Sequence, residues 1–405
     1  MDQAGVYIHI PFCRSRCSYC DFATGMYEPA TAEKYVRAVS REVEGWREVE
    51  QPAPVDTIYF GGGTPSLLTA AQIEALLKMV RNRFVLTSDA EVTLEINPGD
   101  GGTRAAAKQN DDQDEPNRLD AAVAGRGSRS EFFAGLRRLG INRASFGAQT
   151  FNDRELAQLG RTHAAADIET TFQQLRDAGF TNINFDLIAG LPGQTLAGWK
   201  RNLARALQLR PEHLSLYLLD VHEGTPLADQ IKRGLRPQPD EDLAAEMYAS
   251  MIEAVCAAGY EHYEISNFCL PGFEARHNSK YWTGAPYYGF GNSAHSYDGG
   301  RRRWANERDA AKYLELIETG APPVIERTDL QDDDLRAESI FLGLRLMRGI
   351  DLKSYRGRFG GDLCADYDGE LDRLVQAGLI EIRDETLRLT SRGALLSNEV
   401  FAALA

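Results

Sequence analysis

The chain has 405 residues and a net charge of −14, with 43% hydrophobic and 26% charged residues. This composition is ordinary for a soluble globular protein, and the length allows one large domain and a smaller one. The acidic balance argues against general nucleic-acid binding, which needs a basic surface.

The amino-terminal residues contain neither a basic region nor a long apolar run, so no signal peptide is visible. No stretch of about 18 apolar residues predicts a membrane span. We therefore expect a cytoplasmic protein, in which the six cysteines are not a disulfide framework. Cys256 lies in an apolar stretch and is interpreted as a buried small hydrophobic residue.

Short apolar, β-branched or aromatic runs predict strands along the first half of the chain, at 6–10, 55–60, 91–96, 143–147, 183–188 and 213–219. Helical periodicity follows each of them, at 31–48, 70–83, 130–139, 164–178, 196–209 and 240–258. This alternation predicts an α/β fold built as a partial (β/α)6 barrel. In such a barrel the chemistry belongs at the carboxyl ends of the strands.

Two further segments depart from the alternation. Residues 99–129 are rich in glycine, alanine and aspartate, and we interpret them as a mobile surface insertion. After a proline-containing link, helices predicted at 335–347, 352–359 and 367–377 precede two short strands, at 379–383 and 387–389. This pattern predicts a C-terminal winged-helix-like α+β domain over 321–405, after a first domain over 1–320.

Three cysteines, Cys13, Cys17 and Cys20, follow the first predicted strand in a C-x3-C-x2-C pattern. Cysteine sulfur holds iron–sulfur clusters, whereas a structural zinc site needs four ligands. Neither cysteine nor histidine follows within three residues of Cys20, so three thiolates would leave one iron of a four-iron cluster open for a cofactor or substrate. Tyr19 and Phe22 flank the pattern and can shield a cluster. The alternative is a reactive or zinc-binding trio.

Three glycines, Gly61, Gly62 and Gly63, followed by Thr64, come after the second predicted strand. Consecutive glycines let the backbone approach a ligand closely and present its N–H groups. A tight turn between strand and helix is the alternative. The cysteine loop one strand earlier favours the ligand-binding interpretation.

The order of these motifs resembles a known family. C-x3-C-x-Y-C after a first strand is similar to the radical S-adenosylmethionine (SAM) superfamily. More closely, YIHIPFCRSRCSYCDF, FGGGTPSLL, LEINPG, FGAQTFNDREL, LGRTH and NFDLIAGLPGQT resemble the oxygen-independent coproporphyrinogen III oxidase family. The resemblance covers nearly the whole chain except the insertion. It implies a [4Fe-4S] cluster that passes an electron to SAM, whose carbon–sulfur bond then cleaves.

The resemblance also implies roles for individual residues. Those expected around SAM are Tyr7, Tyr19, Gly62, Gly63, Thr64, Glu95, Gln149, Arg161 and Asp186. Simpler explanations stay open for several of them. Glu95 can be an exposed carboxylate at a strand end, Arg161 and Asp186 a structural ion pair, and Tyr7 a half-buried strand aromatic.

Two features distinguish branches of the family. Its oxidases continue the cluster pattern with a further cysteine, at the position occupied here by Phe22. They also carry a substantial segment before the first strand, whereas five residues precede Val6 in this chain. The resemblance thus points to the haem-chaperone branch, whose partners are haem, haem-accepting apoproteins and an electron donor. Homodimerisation, peripheral membrane association and turnover of SAM are left open.

The segment from Arg276 to Trp282, RHNSKYW, resembles the haem-associated motif of that branch. His277 offers an imidazole for haem iron, and Tyr281 and Trp282 offer flat apolar surface. A packed core histidine is the alternative, and His295 and Cys269 are weaker candidates. Two other functions compete with the chaperone: a coproporphyrinogen-type oxidoreductase, and a zinc or nucleic-acid module.

Overall fold

The computed structural model describes residues 3–99 and 128–404. Its strands are β1 Ala4–Ile10, β2 Phe12–Cys13, β3 Gly25–Met26, β4 Val55–Gly62, β5 Leu86–Ile96, β6 Arg143–Gln149, β7 Ile183–Ala189, β8 His213–Leu218, β9 Glu261–Glu264, β10 Asn267–Cys269, β11 Tyr287–Phe290, β12 His295–Tyr297, β13 Arg302–Asn306, β14 Val324–Asp329, β15 Ile350–Asp351, β16 Ile380–Arg383 and β17 Thr386–Leu389.

The α-helices are α1 Pro29–Gly45, α2 Ala70–Arg83, α3 Arg129–Leu139, α4 Asp153–Gln158, α5 Ala165–Asp177, α6 Leu196–Leu209, α7 Pro226–Lys232, α8 Glu241–Ala257, α9 Arg276–Thr283, α10 Ala310–Thr319, α11 Asp332–Arg345, α12 Leu352–Phe359, α13 Leu363–Asp366, α14 Asp368–Gln376, α15 Ser391–Leu395 and α16 Ser397–Leu404. Within the described ranges, no helix is long and apolar enough to cross a membrane.

A large mixed sheet forms the centre of the fold. Its order is β14-β13-β12-β11-β1-β4-β5-β6-β7-β8-β10-β9, and the run from β11 to β8 is parallel throughout. The six predicted strands are confirmed as β1, β4, β5, β6, β7 and β8, in chain order. The structure adds β11 as a further parallel strand beside β1, and antiparallel strands extend both edges. The predicted α/β architecture is therefore correct, and the sheet is larger than expected.

Successive residues of the parallel strands point to opposite faces of the sheet. In β1, Val6 and Ile8 belong to the apolar core that the outer helices cover. Tyr7 lies between them and points into the concave interior, where its ring stacks on Tyr59 of β4 with centroids 6.1 Å apart. The interior is consequently lined by aromatic and polar side chains, and the carboxyl ends of the strands surround its open end.

Helix α9 closes the other end of this interior. Lys280 contacts Asp56 at 2.6 Å, and Arg276 contacts the same carboxylate at 3.1 Å, at the amino-terminal end of β4. The backbone N–H of His277 donates to Glu91 of β5 at 3.1 Å. Since these contacts join the helix to neighbouring strands, α9 forms a fixed floor beneath the interior.

The C-terminal part contains the predicted helices and a small sheet of order β15-β17-β16. The predicted hairpin is confirmed as β16 and β17, whose two-residue turn has positive φ at Asp384 and Glu385. The boundary proposed at 320/321 stays a prediction, and β14 on its far side pairs with β13 of the large sheet. The predicted insertion at 99–129 lies almost entirely outside the described residues, and Ser128 and Arg129 cap and begin α3.

One interpretation of the sequence was wrong. Cys256 is exposed near the end of α8 rather than buried. The stretch around it is apolar almost without interruption, so composition alone could not indicate which residues of the helix face outward.

A buried carboxylate joins α1 to the far edge of the sheet. Glu42 accepts hydrogen bonds from the Tyr313 hydroxyl at 2.6 Å, the Gly291 N–H at 2.8 Å and the Asn306 amide at 2.5 Å. Burial raises the pKa of Glu42 to about 7, although these three donors oppose the shift. The native state therefore keeps a proton on Glu42 in a pH range where the unfolded chain has released it.

This proton predicts a pH dependence of stability. Because the native pKa of Glu42 lies above its ordinary value, the unfolding free energy should fall as the pH rises towards about 7. Glu42→Gln removes the titration, so wild type should lose more stability than this variant between pH 5 and pH 8. Urea unfolding at both pH values measures the difference. Parallel pH dependence in the two proteins would contradict the assignment.

Candidate functional site

The three cysteines lie in a closed loop after β1. The short strands β2 and β3 pair and draw residues 12–26 together, and the Tyr27 N–H donates to the Cys13 carbonyl at 2.9 Å. The Cys20 N–H donates to the Cys17 carbonyl at 3.3 Å, which folds the second half of the loop back on itself. All three cysteines are half-buried free thiols. Burial raises the pKa of Cys13 to about 11, so its thiol is protonated at neutral pH and a metal that binds it must displace the proton.

The glycine loop after β4 lies directly against the cysteine loop. The Gly63 N–H donates to the Ile10 carbonyl at 2.8 Å, and the Thr64 hydroxyl is 3.8 Å from the Cys13 sulfur. A Cβ atom on Gly63 would lie 2.7 Å from the Phe12 carbonyl oxygen and 3.0 Å from the Cys13 sulfur. Only glycine fits this contact without displacing one of the loops.

Two half-buried carboxylates face the same space from later strands. Glu95 of β5 accepts hydrogen bonds from the Tyr59 hydroxyl at 2.7 Å and the Gly62 N–H at 3.1 Å. Asp186 of β7 accepts one from the Asn184 amide at 2.7 Å. Burial raises the pKa of Glu95 to about 7 and that of Asp186 to about 6. Both groups can therefore ionise near neutral pH when a cation arrives.

Two more polar side chains face the same space: Gln149 at the end of β6, and Arg161 in the loop after α4. The Arg161 guanidinium donates to the Cys17 sulfur at 3.5 Å and to the Gly147 carbonyl at 2.5 Å. Gln149 ends β6 with a φ of 63°, a left-handed conformation that turns the chain at the site. Arg161 thus brings positive charge to the sulfur that a cluster would use.

These side chains surround one cavity of about 170 Å³. The sequence-predicted residues that line it are Cys13, Cys17, Tyr19, Cys20, Gly62, Gly63, Thr64, Glu95, Gln149, Arg161 and Asp186. Phe22 also lines it, with 63% of its side chain exposed. The structure therefore brings together the cysteine loop, the glycine loop, the ends of β5, β6 and β7, and Arg161 from the loop after α4.

Two predicted residues lie elsewhere. Tyr7 is one layer below the cavity, where its hydroxyl bonds the His9 ring at 3.0 Å. His277 is on the floor, with its Nδ1 2.9 Å from the Thr57 hydroxyl and its Nε2 3.0 Å from the Tyr281 hydroxyl. Burial lowers the pKa of His277 to about 3, so the ring is neutral, and both nitrogens already have partners. In this conformation neither nitrogen is available to iron.

Sequence reasoning missed Asn97 and Ser145, which also line the cavity. The Asn97 amide donates to the Thr64 hydroxyl at 2.8 Å and so fixes the residue after the glycines. A signal for Asn97 was present, because it follows Glu95 by two residues and therefore points to the same face at the end of the strand. Ser145 carries no comparable signal.

The cavity fits an iron–sulfur cluster with an adjacent ligand. The fit rests on three unoxidised thiols facing one space, and on the Gly63 contact, which keeps the backbone of a second loop within reach of them. Thiolate sulfur is the usual ligand of such clusters. Together with the parallel strands, this arrangement defines the class of radical SAM proteins.

Comparisons with known proteins agree with this class. The sequence profile of the radical SAM superfamily matches residues 7–206, and that of the HemN C-terminal domain matches residues 330–396. The chain is 35% identical to the heme chaperone HemW of Bacillus subtilis, over 98% of both chains. It is 36% identical to the HemW of Mycobacterium tuberculosis, over 99% of this chain and 94% of that protein. The chain belongs to the HemW family of the radical SAM superfamily.

A solved structure supports the fold. The coproporphyrinogen III oxidase HemN of Escherichia coli superposes with a TM-score of 0.81, over 100% of this chain and 90% of that one. Its sequence identity is 23%, so the likeness concerns the architecture alone. The radical SAM superfamily implies SAM and a [4Fe-4S] cluster as cofactors.

Proposed function

We propose that this protein is a haem-binding radical SAM protein that delivers haem to target apoproteins. The observation that carries the proposal is the similarity to curated haem chaperones over almost the whole chain. The cavity supports its radical SAM part, since the thiols and the glycine loop form one site. The partners we propose are haem, haem-accepting apoproteins and an electron donor.

Within the cavity, we propose that Cys13, Cys17 and Cys20 hold the cluster. When bound, a [4Fe-4S] cluster with SAM supplies one-electron chemistry. The backbone of Gly62 and Gly63 and the carboxylate of Glu95 would bind the amino group of SAM. Tyr7 and Tyr59 lie one layer below the cavity, where the Tyr59 hydroxyl holds the Glu95 carboxylate in place.

Three more residues that line the cavity have polar roles. We propose that Thr64 and Gln149 orient the polar groups of SAM, and that Arg161 balances the charge of the thiolates. Tyr19 packs against the apolar cluster of Leu159, Ile188 and Leu191, and so holds the cysteine loop against β7.

Asp186 provides a test of the SAM assignment. Asp186→Asn keeps the size of the side chain but removes a half-buried negative charge that faces the cavity. We expect the affinity for SAM, which carries a sulfonium cation, to fall by roughly tenfold, the equivalent of one charged contact. Equilibrium dialysis of cluster-loaded protein measures it. Asp177→Asn, on an exposed helix end, is the matched control and should leave the affinity unchanged.

A coproporphyrinogen oxidase is the second candidate, favoured by the fold of HemN. Phe22 opposes it, because the family pattern of the oxidases has a cysteine there. Anaerobic reconstitution with iron and sulfide, followed by haemin titration, separates the two. We expect a shifted Soret band and no decarboxylation of coproporphyrinogen. Decarboxylation at a catalytic rate would favour the oxidase, and absence of haem binding would refute the chaperone.

A further inference from the structure

A second cavity lies between the large sheet and the C-terminal helices. Its volume is about 240 Å³, near the lower end of small-molecule pockets, which typically enclose about 300–1,000 Å³. On one side it is bounded by α9, β12 and β13, and on the other by α11, β15 and α12. It shares no residue with the cysteine-lined cavity, and α9 stands between the two.

Helix α9 presents the haem-associated segment to two different spaces. His277 faces the interior and bonds Tyr281, which is four residues later and also packs against Tyr287 with ring centroids 4.7 Å apart. Trp282, the next residue, turns away from them and lines the second cavity. The histidine and the tryptophan of the segment therefore serve different sites.

The walls of the second cavity are aromatic and apolar. Trp282, Tyr297, Tyr355 and Phe359 line it together with aliphatic residues of α11. The indole N–H of Trp282 is buried and has no hydrogen-bond partner within the described part of the chain. One face of the Trp282 ring is already covered by the Arg345 guanidinium, 4.3 Å from the ring centre, so a ligand can stack only on the other face.

Arginines surround the mouth. Arg303, Arg348 and Arg358 line the cavity, and Arg303 is paired with Glu338 at 2.8 Å. Arg348 and Arg358 are exposed, and neither has an ion-pair partner among residues 3–99 and 128–404. The carboxylates on the walls are Glu338, which is already paired, and Asp351, which caps α12. Two cations thus remain available for an anionic ligand.

We propose that this interdomain cavity is the haem site, with the macrocycle against Trp282 and the two propionates on Arg348 and Arg358. This inference rests on the proposed haem-binding function and assigns a binding site to it. A flat apolar ring with two carboxylates matches an aromatic slot edged by two unpaired guanidinium groups. Two phenols lie on the same walls, and phenolate oxygen can ligate haem iron. The Tyr297 hydroxyl already donates to the Gly300 carbonyl at 2.8 Å, which leaves Tyr355 as the candidate ligand.

The size of the cavity agrees with a transfer role. A slot of this volume buries part of a macrocycle and leaves an edge in solvent, where an acceptor protein can reach it. Its position between the two structural units also places the ligand where a small movement of the C-terminal helices would widen the slot.

The test uses the full chain with its cluster reconstituted, titrated with haemin. In the double variant Arg348→Glu/Arg358→Glu, the dissociation constant should rise about tenfold or more, as expected when charge-assisted contacts become repulsive. Ser339→Trp, on the α11 wall, fills the slot without changing charge and should weaken binding similarly. Lys34→Glu/Arg41→Glu, on exposed positions of α1, makes the same charge change elsewhere and should bind as wild type does.

Far-UV circular dichroism and SAM affinity confirm that each variant is folded. If wild type binds haemin and both cavity variants bind it equally well, this site is wrong while the chaperone function stands. If wild type itself fails to bind haemin, the proposed function fails. A loss confined to the cavity variants supports the site, and an equal loss in the α1 control would overturn it as an effect of net charge.

Discussion

Cys17→Ala should abolish assembly of the iron–sulfur cluster. All three thiols line the cavity, and removal of one leaves two ligands where the proposed cluster needs three. Loss of a residue that only orients a metal ligand lowers metal affinity by roughly 10–100-fold. Loss of a ligand itself should therefore lower it by at least as much. After anaerobic reconstitution, we expect the iron content and the visible charge-transfer absorption to fall to background.

Cys256→Ala is the matched control for this change. Cys256 is exposed on α8 and does not line the cavity, so this variant should reconstitute like wild type. Zinc in anaerobically prepared wild type, or a full four-iron spectrum in Cys17→Ala, would show that the cysteines serve another purpose.

Gly63→Ala should cause the second largest loss. The added methyl group would lie 2.7 Å from a backbone carbonyl of the cysteine loop, and backbone cannot move aside as the end of a side chain can. Either the glycine loop or Cys13 must shift, and we expect SAM affinity to fall by roughly 10–100-fold, the range found when supporting residues of a metal site are altered. Iron content and equilibrium dialysis of SAM measure both consequences.

Gly357→Ala controls for the loss of a glycine as such. It lies within α12, where an added Cβ meets no atom within 4 Å, and alanine favours a helix. This variant should keep the iron content and SAM affinity of wild type. Equal behaviour of the two variants would show that the close contact at Gly63 has no role in the site.

Much of the fold could be predicted because its signals are local. Helix α2 begins and ends where expected, since Thr69 and Gln72 form a capping box ahead of its apolar stripe. The six predicted parallel strands are six to eleven residues long, and each carries buried apolar residues. The position of the site could then be predicted from these strands, because the carboxyl ends of parallel strands meet at one edge of the sheet. That edge brings Cys13 near Asp186 despite their separation in sequence.

The rest depends on contacts between distant segments. Strands β10 and β12 have three residues each, too few for alternation to show. The orientation of α9 is set by Asp56 and Glu91, more than 180 residues earlier. For that reason no local pattern could show that His277 faces the interior while Trp282 faces the C-terminal helices.

Helix α9 closes one end of the interior, and His277, Tyr59 and Tyr7 fill the part of the interior next to it. A molecule that enters past the cysteine loop therefore finds no passage through that end. Spent fragments and fresh reactant then share the opening beside the cysteine loop. Haem in the second cavity would lie beyond α9 and would be shielded from reactive species generated at the cysteine-lined cavity. It could therefore be carried to an acceptor protein chemically intact.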